Sequence, residues 1–217
     1  MHTHSEENYL KSIFKLSQLG RKKVSVKAIA DALGNNPASV IDMLKKLTDK
    51  NLITYEKTSG AQLEAEGLAA AVNVVRRHRL WEVFLKEKLE YSWAEVHEIA
   101  EQLEHIRPLD LADRLDKYLG FPEFDPHGDP IPDAKGKLQD TKRMTLSEIE
   151  CGQVCRVVAV KDTSTDFLSY LQQLDIGIGT QLTVIEKINF DNSVKLCMPN
   201  GVITTVSKKF AESLMVA

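Results

Sequence analysis

The chain has 217 residues, 43% hydrophobic and 27% charged, enough apolar material for real cores and room for one large domain or two to three small ones. Its net charge of −3 hides a segregation: residues 1–77 carry 12 Lys+Arg against 8 Asp+Glu, residues 78–142 carry 9 against 15, and residues 143–217 carry 7 against 8. No apolar run approaches the ~20 residues of a membrane span, the opening MHTHSEENYL lacks the apolar centre of a secretion signal, and Cys151, Cys155 and Cys197 show no CxxC spacing; a reduced, cytoplasmic protein is expected, without a disulfide frame.

Residues 5–19 read as a helix, with Ser5 able to cap it and Leu10, Ile13 and Phe14 opening an apolar stripe. VSVKAIADALGNNPASVIDMLKKLTDKNLI then gives two helices about a tight break. Gly34 to Pro37 end the first and start the second, with Asn36 as cap and Pro37 in the first turn. LITYEKTSGAQLEAEG reads as two short strands about Thr58-Ser59-Gly60. This order is that of a winged helix–turn–helix. Its second helix is expected to enter the major groove of double-stranded DNA, with Asn36, Pro37, Ala38, Ser39 and Asp42 near base edges. Lys45, Lys46 and the wing's Lys57 are expected at phosphates.

Residues 64–90 form a long helical stretch, and 92–106 the next helix, opened by Ser92 with Glu95 as a capping box. Pro108 permits only a fresh start, which Leu109, Leu111, Ala112 and Leu115 continue. Residues 120–137 hold four of the seven prolines and read as linker. From 143 onward come β-rich runs, QVCRVVAVK, QLTVIEK, SVKLCM and GVITTVS, interrupted by one short helix, DFLSYLQQL. They suggest a small barrel-like domain.

The helix VHEIAEQLEHI carries a second stripe beside its apolar face: His97, Glu101, Glu104 and His105, at offsets i, i+4, i+7 and i+8. The preceding helix holds His78 and Glu82 at i and i+4. Carboxylates and imidazoles without thiolate suit hard or borderline divalent ions such as Mn²⁺ and Fe²⁺, and a cation relieves a cluster of carboxylates. No HExxH, GxSxG or phosphate-cradling loop marks an enzyme or a small-molecule substrate. A metal-dependent hydrolase, and a winged-helix protein-interaction module whose acidic stripe is merely solvated, remain the alternatives.

Taken together, SEENYLKSIFKL, IADALGNNPASVIDMLKKL, RRHRLWEVFL, VHEIAEQLEHI and DPHGDPIP resemble the diphtheria-toxin-repressor-like family of metal-dependent transcriptional regulators. The resemblance spans essentially the whole chain, and its C-terminal part is similar to the SH3-type domain of ferrous-iron transport protein A. It implies a mainly α fold with a small β-barrel domain. The divisions are a winged helix–turn–helix at 1–63, a helical dimerisation and metal-binding domain with a Pro-rich linker at 64–142, and an SH3-like domain at 143–217. It also implies a homodimeric repressor of metal-uptake genes with two ions, Mn²⁺ or Fe²⁺, per subunit. The primary site carried over is Asn8, Glu101, Glu104, His105 and Asp125; the ancillary site is His78, Glu82 and His97, with Asp166 as the candidate from the C-terminal domain. Iron-sensing members carry Cys at the position of Glu101 and Met at that of Asn8, and some members carry Cys at that of Asp125. The carboxylates here harden the site toward Mn²⁺. The family's Thr at the wing is Glu64 in this chain.

Overall fold

The computed structural model describes residues 2–20, 22–108, 110–139 and 141–217. The chain forms two compact units. The first comprises Met1–His78, Glu101–Arg114 and Pro132–Leu138, and the second Arg79–Ala100, Leu115–Ile131 and Gln139–Ala217.

In the first unit, α1 (His4–Leu16) is capped by Thr3, not by Ser5. Thr3 Oγ1 accepts from the Glu6 amide at 3.2 Å and Glu6 Oε2 accepts from the Thr3 amide at 2.9 Å, a reciprocal pair that satisfies two otherwise orphaned donors. The helix stops short of the expected residue 19 because Gln18, Leu19 and Gly20 all take positive φ, which ends right-handed helix. α2 (Val26–Leu33) ends at left-handed Gly34, and α3 (Pro37–Asp49) starts with Asn36 Oδ1 accepting from the Ser39 amide and Pro37 in the first turn, as the sequence led us to expect. β1 (Ile53–Glu56) and β2 (Gly60–Leu63) pair antiparallel, and Val24 bridges to Ala61. At Gly60, φ is +95° and a Cβ would fall 2.2 Å from the Val24 carbonyl oxygen, so only glycine lets the wing close on this bridge. Leu10, Ile13, Phe14, Ile29, Val40, Leu44, Leu47 and Ile53 are buried in one core, each contributing roughly 1.5–3 kcal/mol of transfer energy.

α4 (Ala65–Lys88) contributes its first half to this core through Ala71, Val72 and Val75. α5 (Val96–Leu103) is shorter than expected at both ends. The Ser92 amide does donate to Glu95 Oε2 at 2.9 Å, but residues 93–95 form a turn and helix proper begins at Val96. Glu104 and His105 lie in the turn after the helix, closed by the Ile106 amide on the Leu103 carbonyl at 3.1 Å. The four-residue stripe is therefore half helix and half turn. α6 (Asp110–Tyr118) follows Pro108; Leu109 lies outside the described residues.

In the second unit, β3 (Met144–Thr145), β4 (Val154–Val160), β5 (Gln181–Lys187), β6 (Val194–Cys197), β7 (Ile203–Val206) and β8 (Leu214–Val216) form one antiparallel sheet in the order β3-β8-β4-β5-β6-β7. α7 (Thr165–Gln173) is the expected short helix, capped by Ser164. A second short helix, α8 (Lys208–Ser213), and the three-residue β8 run into each other at Ser213–Leu214. Neither was expected: too few residues sit in each to show a period. Leu168, Leu171, Val184, Leu196, Phe210 and Leu214 fill the core, with Trp93 packed against it. Among the described residues no helix is long and apolar enough to cross a membrane.

Candidate metal centre

The residues expected to contact DNA are open to solvent. Asn36, Pro37, Ala38, Ser39, Asp42, Lys45 and Lys46 of α3 and Lys57 between the wing strands are all exposed. Lys45 Nζ lies 3.4 Å from Asp42 Oδ1. Asn36 Oδ1 is engaged as the helix cap, so its carbonyl oxygen is committed to the backbone rather than to a base edge.

In the first unit, one face of α1 meets α4 and the turn after α5. Glu7, Asn8 and Lys11, at i, i+1 and i+4 of α1, come together with His78, Glu101, Glu104 and His105. Glu104 is wholly buried. Its Oε2 lies 2.6 Å from His78 Nδ1 and 2.5 Å from Lys11 Nζ. Lys11 Nζ also donates to Glu101 Oε1 at 2.7 Å and lies 3.3 Å from His78 Nδ1. His105 holds Glu7 Oε2 at 2.5 Å through Nδ1 and Asn8 Oδ1 at 2.8 Å through Nε2. Arg77 Nη2 sits 3.2 Å from the other oxygen of Glu7, and His4 stacks on His105 at 4.7 Å. Burial pushes the Glu101 carboxyl up, but the Lys11 ammonium, by charge and hydrogen bond, with His78 and Lys15 behind it, holds it down at about 2.

In the second unit, Glu82 of α4, Asp125 and His127 are all buried, and each offers a ligand atom within 4.8 Å of the others. His97 Nδ1 lies 2.9 Å and His127 Nδ1 3.5 Å from Glu82 oxygens. Asp125 Oδ1 accepts from the amides of His127 and Asp129, both at 2.9 Å, and Arg79 Nε lies 3.4 Å from its Oδ2. Burial pushes the Asp125 carboxyl up to about 7, and the nearby charges of Glu82 and Asp129 add to it, outweighing Arg79 and His127. Burial acts to lower His127, but the Glu82 carboxylate and Asp125 raise it.

These groupings differ from the sets carried over by resemblance. Asn8, Glu101, Glu104 and His105 do converge, and His78, expected in the ancillary set, joins them through Glu104. Asp125, expected in the primary set, is gathered with Glu82 instead. The reason is tertiary. The DPHGDP loop is tied to β4 by the Val160 amide on the His127 carbonyl at 3.0 Å, and at Gly128, with φ +86°, a Cβ would lie 2.0 Å from the Val158 carbonyl oxygen. That docking turns Asp125 and His127 toward Glu82. Asp166 stands exposed in the first turn of α7 and is not among the described residues that gather at Glu82. Sequence reasoning passed over several participants, among them Glu7, Lys11, Arg77 and His127. Glu7 and Lys11 share a helix face with Asn8 or flank it, and His127 lies inside the quoted DPHGDP motif, so each left a trace.

Both clusters offer carboxylate, amide and imidazole atoms, and the three cysteines are free and lie on none of the elements that build them. Glu104 Oε1 is buried with no hydrogen bond, 3.6 Å from His105 Nε2, and an unsatisfied buried oxygen beside an imidazole is what a cation corrects. The residues fit a hard or borderline divalent ion.

Comparison with known proteins accords with this chemistry. The family descriptions "Iron dependent repressor, N-terminal DNA binding domain" and "Iron dependent repressor, metal binding and dimerisation domain" match residues 1–61 and 64–133, and the FeoA domain matches residues 144–217. The iron-dependent repressor IdeR of Mycobacterium leprae (strain TN) is 26% identical over 97% of this chain and 95% of its own length. A solved manganese-dependent transcriptional repressor in complex with manganese is 31% identical, with a TM-score of 0.90 over 98% of this chain and 99% of that one. The manganese regulator SloR is 32% identical, with a TM-score of 0.81 over 98% and 97%.

Proposed function

The chain belongs to the iron-dependent, diphtheria-toxin-repressor-like family, and from that premise we propose that it is a manganese-responsive homodimer that represses metal-uptake genes in the cytoplasm. The family is one of metal-dependent transcriptional repressors and not of enzymes, which sets aside the hydrolase and the metal-free interaction module. The observation that carries the choice of manganese is the donor chemistry: neither cluster offers sulfur, and Glu101 stands where a thiolate would favour softer ions. The manganese complex of the relative with a TM-score of 0.90 supports the same choice. Fe²⁺ is the second metal, because oxygen and nitrogen donors separate the two weakly.

We assign one ion to Asn8, Glu104 and His105, with Glu101 and His78 flanking it on the side of Lys11, and a second to Glu82, Asp125 and His127 with His97 in support. The role expected of Asp166 passes to His127. Asn8 sits on α1, which packs in the reading domain, while Glu104 and His105 follow α5. A bound ion supplies a shared positive centre to these two segments. Asn8 Oδ1, already against His105 Nε2, fixes where α1 lies relative to that turn; His105 is oriented in turn by Glu7, as a ligand histidine is by its other ring nitrogen. Holding α1 holds α3, and in a dimer two fixed reading helices match half-sites about one helical turn, ~34 Å, apart. Ordering the heads before DNA arrives lowers the entropy cost of binding, and metal and DNA affinities are then reciprocally linked.

The test is a gel-shift titration of the full chain on the promoters of metal-uptake genes, with Mn²⁺, with Fe²⁺ under anaerobic conditions, and with chelator. Retardation that needs metal and responds at least as well to Mn²⁺ supports the reading. Binding indifferent to chelator overturns it.

A further inference from the structure

The least expected residue of the first cluster is Lys11. Its side chain is only 5% exposed, and its ammonium stands where a ligated ion would stand, against Glu101 Oε1 at 2.7 Å, Glu104 Oε2 at 2.5 Å and His78 Nδ1 at 3.3 Å. The two oxygens of Glu104 thus face two different places. Oε2 faces the ammonium and His78. Oε1 is buried, makes no hydrogen bond and lies 3.6 Å from His105 Nε2, which itself touches Asn8 Oδ1 at 2.8 Å. One place already has its cation and the other does not.

We propose that Lys11 is a built-in monovalent cation at the second of two cation positions around Glu104, limiting this cluster to a single divalent ion on the side of Oε1, His105 and Asn8. The inference rests on the reading above that the cluster takes an ion. Glu7, Glu101 and Glu104 bring three negative charges into a largely buried space, and Lys11 and Arg77 return two. A buried carboxylate without a partner is strongly unfavourable, so the ammonium, 2.5 Å from Glu104 Oε2 and 2.7 Å from Glu101 Oε1, offsets their charge and holds them in place before any metal arrives. It also repels a second divalent ion from the Glu101–Glu104–His78 side. Lysine suits this use: its ammonium is a compact point charge that donates here to both Glu101 Oε1 and Glu104 Oε2.

Metal stoichiometry on the full chain tests this, by native mass spectrometry and by equilibrium dialysis against Mn²⁺, with Lys11→Met and Lys11→Gln as variants. The expected result is one more Mn²⁺ per chain in the variants than in the wild type, together with a lower melting temperature of the metal-free variants. A folded variant with unchanged stoichiometry overturns the proposal, whatever its affinity. Should both variants fail to fold without metal, the wild type decides: acetic anhydride labelling of Lys11 stays slow on saturation with Mn²⁺ if the ammonium keeps its place. Labelling that becomes fast means the incoming ion has expelled it, and the proposal falls. A wild type that binds no Mn²⁺ at all refutes the metal assignment itself, a result distinct from these.

Discussion

The two acidic clusters solve the same problem in opposite ways. In the first unit, Glu101 and Glu104 share a buried ammonium at 2.7 and 2.5 Å, and the Glu101 carboxyl is held at about 2, its burial outweighed by that charge. In the second, the guanidinium of Arg79 stays 3.4 Å from Asp125 and also pairs with Asp129 at 3.2 Å, and the Asp125 carboxyl rises to about 7 under burial and the charge of Glu82. One cluster keeps its charge by importing a cation from another helix, α1. The other keeps its geometry by holding a proton. A buried carboxylate must do one or the other, and the choice decides what a metal ion meets on arrival: a lysine to live beside, or a proton to replace.

Deleting the lysine is the harshest way to break this contrast. Lys11→Met leaves the buried Glu104, and with it the part-exposed Glu101, without their ammonium, and removing one partner of a buried pair such as Lys11–Glu104 costs about 3 kcal/mol or more. Chemical denaturation of the metal-free protein at pH 7 reads this directly. Saturating Mn²⁺ returns much of the loss, because ligand binding to the folded state stabilises it by mass action. A loss below about 1 kcal/mol, the level of an exposed pair, makes the two clusters alike and removes the contrast.

The opposite sign is expected in the second unit. Asp125→Asn keeps an oxygen for the amides of His127 and Asp129 while removing a carboxyl that must take up a proton or carry a buried charge near pH 7. The metal-free variant gains on the order of 1 kcal/mol at pH 7, since a poorly compensated buried charge is unfavourable, but binds the second ion more weakly by about tenfold or more. The pH dependence carries the same signature. The Asp125 carboxyl is raised from 3.8 to about 7, so between those values the folded state holds a proton that the unfolded state has lost. Stability from this group is full below 3.8 and falls as pH rises toward about 7. Denaturation midpoints across that range slope downward in the wild type and less so in Asp125→Asn. Equal slopes place the proton elsewhere.

What the sequence made legible follows the same division. The helices α2 and α3, their caps and the wing were visible because Gly34, Asn36, Pro37 and Gly60 each do one local job that composition reveals. Glu101, Glu104 and His105 were visible from their spacing, although the last two lie in a turn and not on the helix. The partition of ligands was not visible. Asp125 and His127 face Glu82 because a loop docks on β4 through contacts over 30 residues away in sequence, and no periodicity encodes that. Lys11 was passed over because a lysine on an amphipathic helix ordinarily points to water; only the tertiary fold reveals it as buried. α8 and β8 were too short to announce themselves.

The smallest expected effect sharpens the contrast by touching one cluster alone. Thr3 caps α1, and Glu7, Asn8 and Lys11 all lie within the next two turns. Thr3→Ala removes the acceptor for the Glu6 amide and costs about 0.5–1 kcal/mol. Glu6 loses its reciprocal partner but keeps Lys50 Nζ at 2.6 Å, so the first turn frays rather than melts. Fraying displaces Glu7 and Asn8, the two residues that orient His105, and loosens the first site while leaving Glu82, Asp125 and His127 untouched. Calorimetric titration of the variant with Mn²⁺ then shows the first ion weakened by less than about tenfold, within the ~1.4 kcal/mol that such a factor represents, and the second unchanged. A second ion weakened to the same degree shows that the clusters share their energetics, and the two solutions are then halves of one.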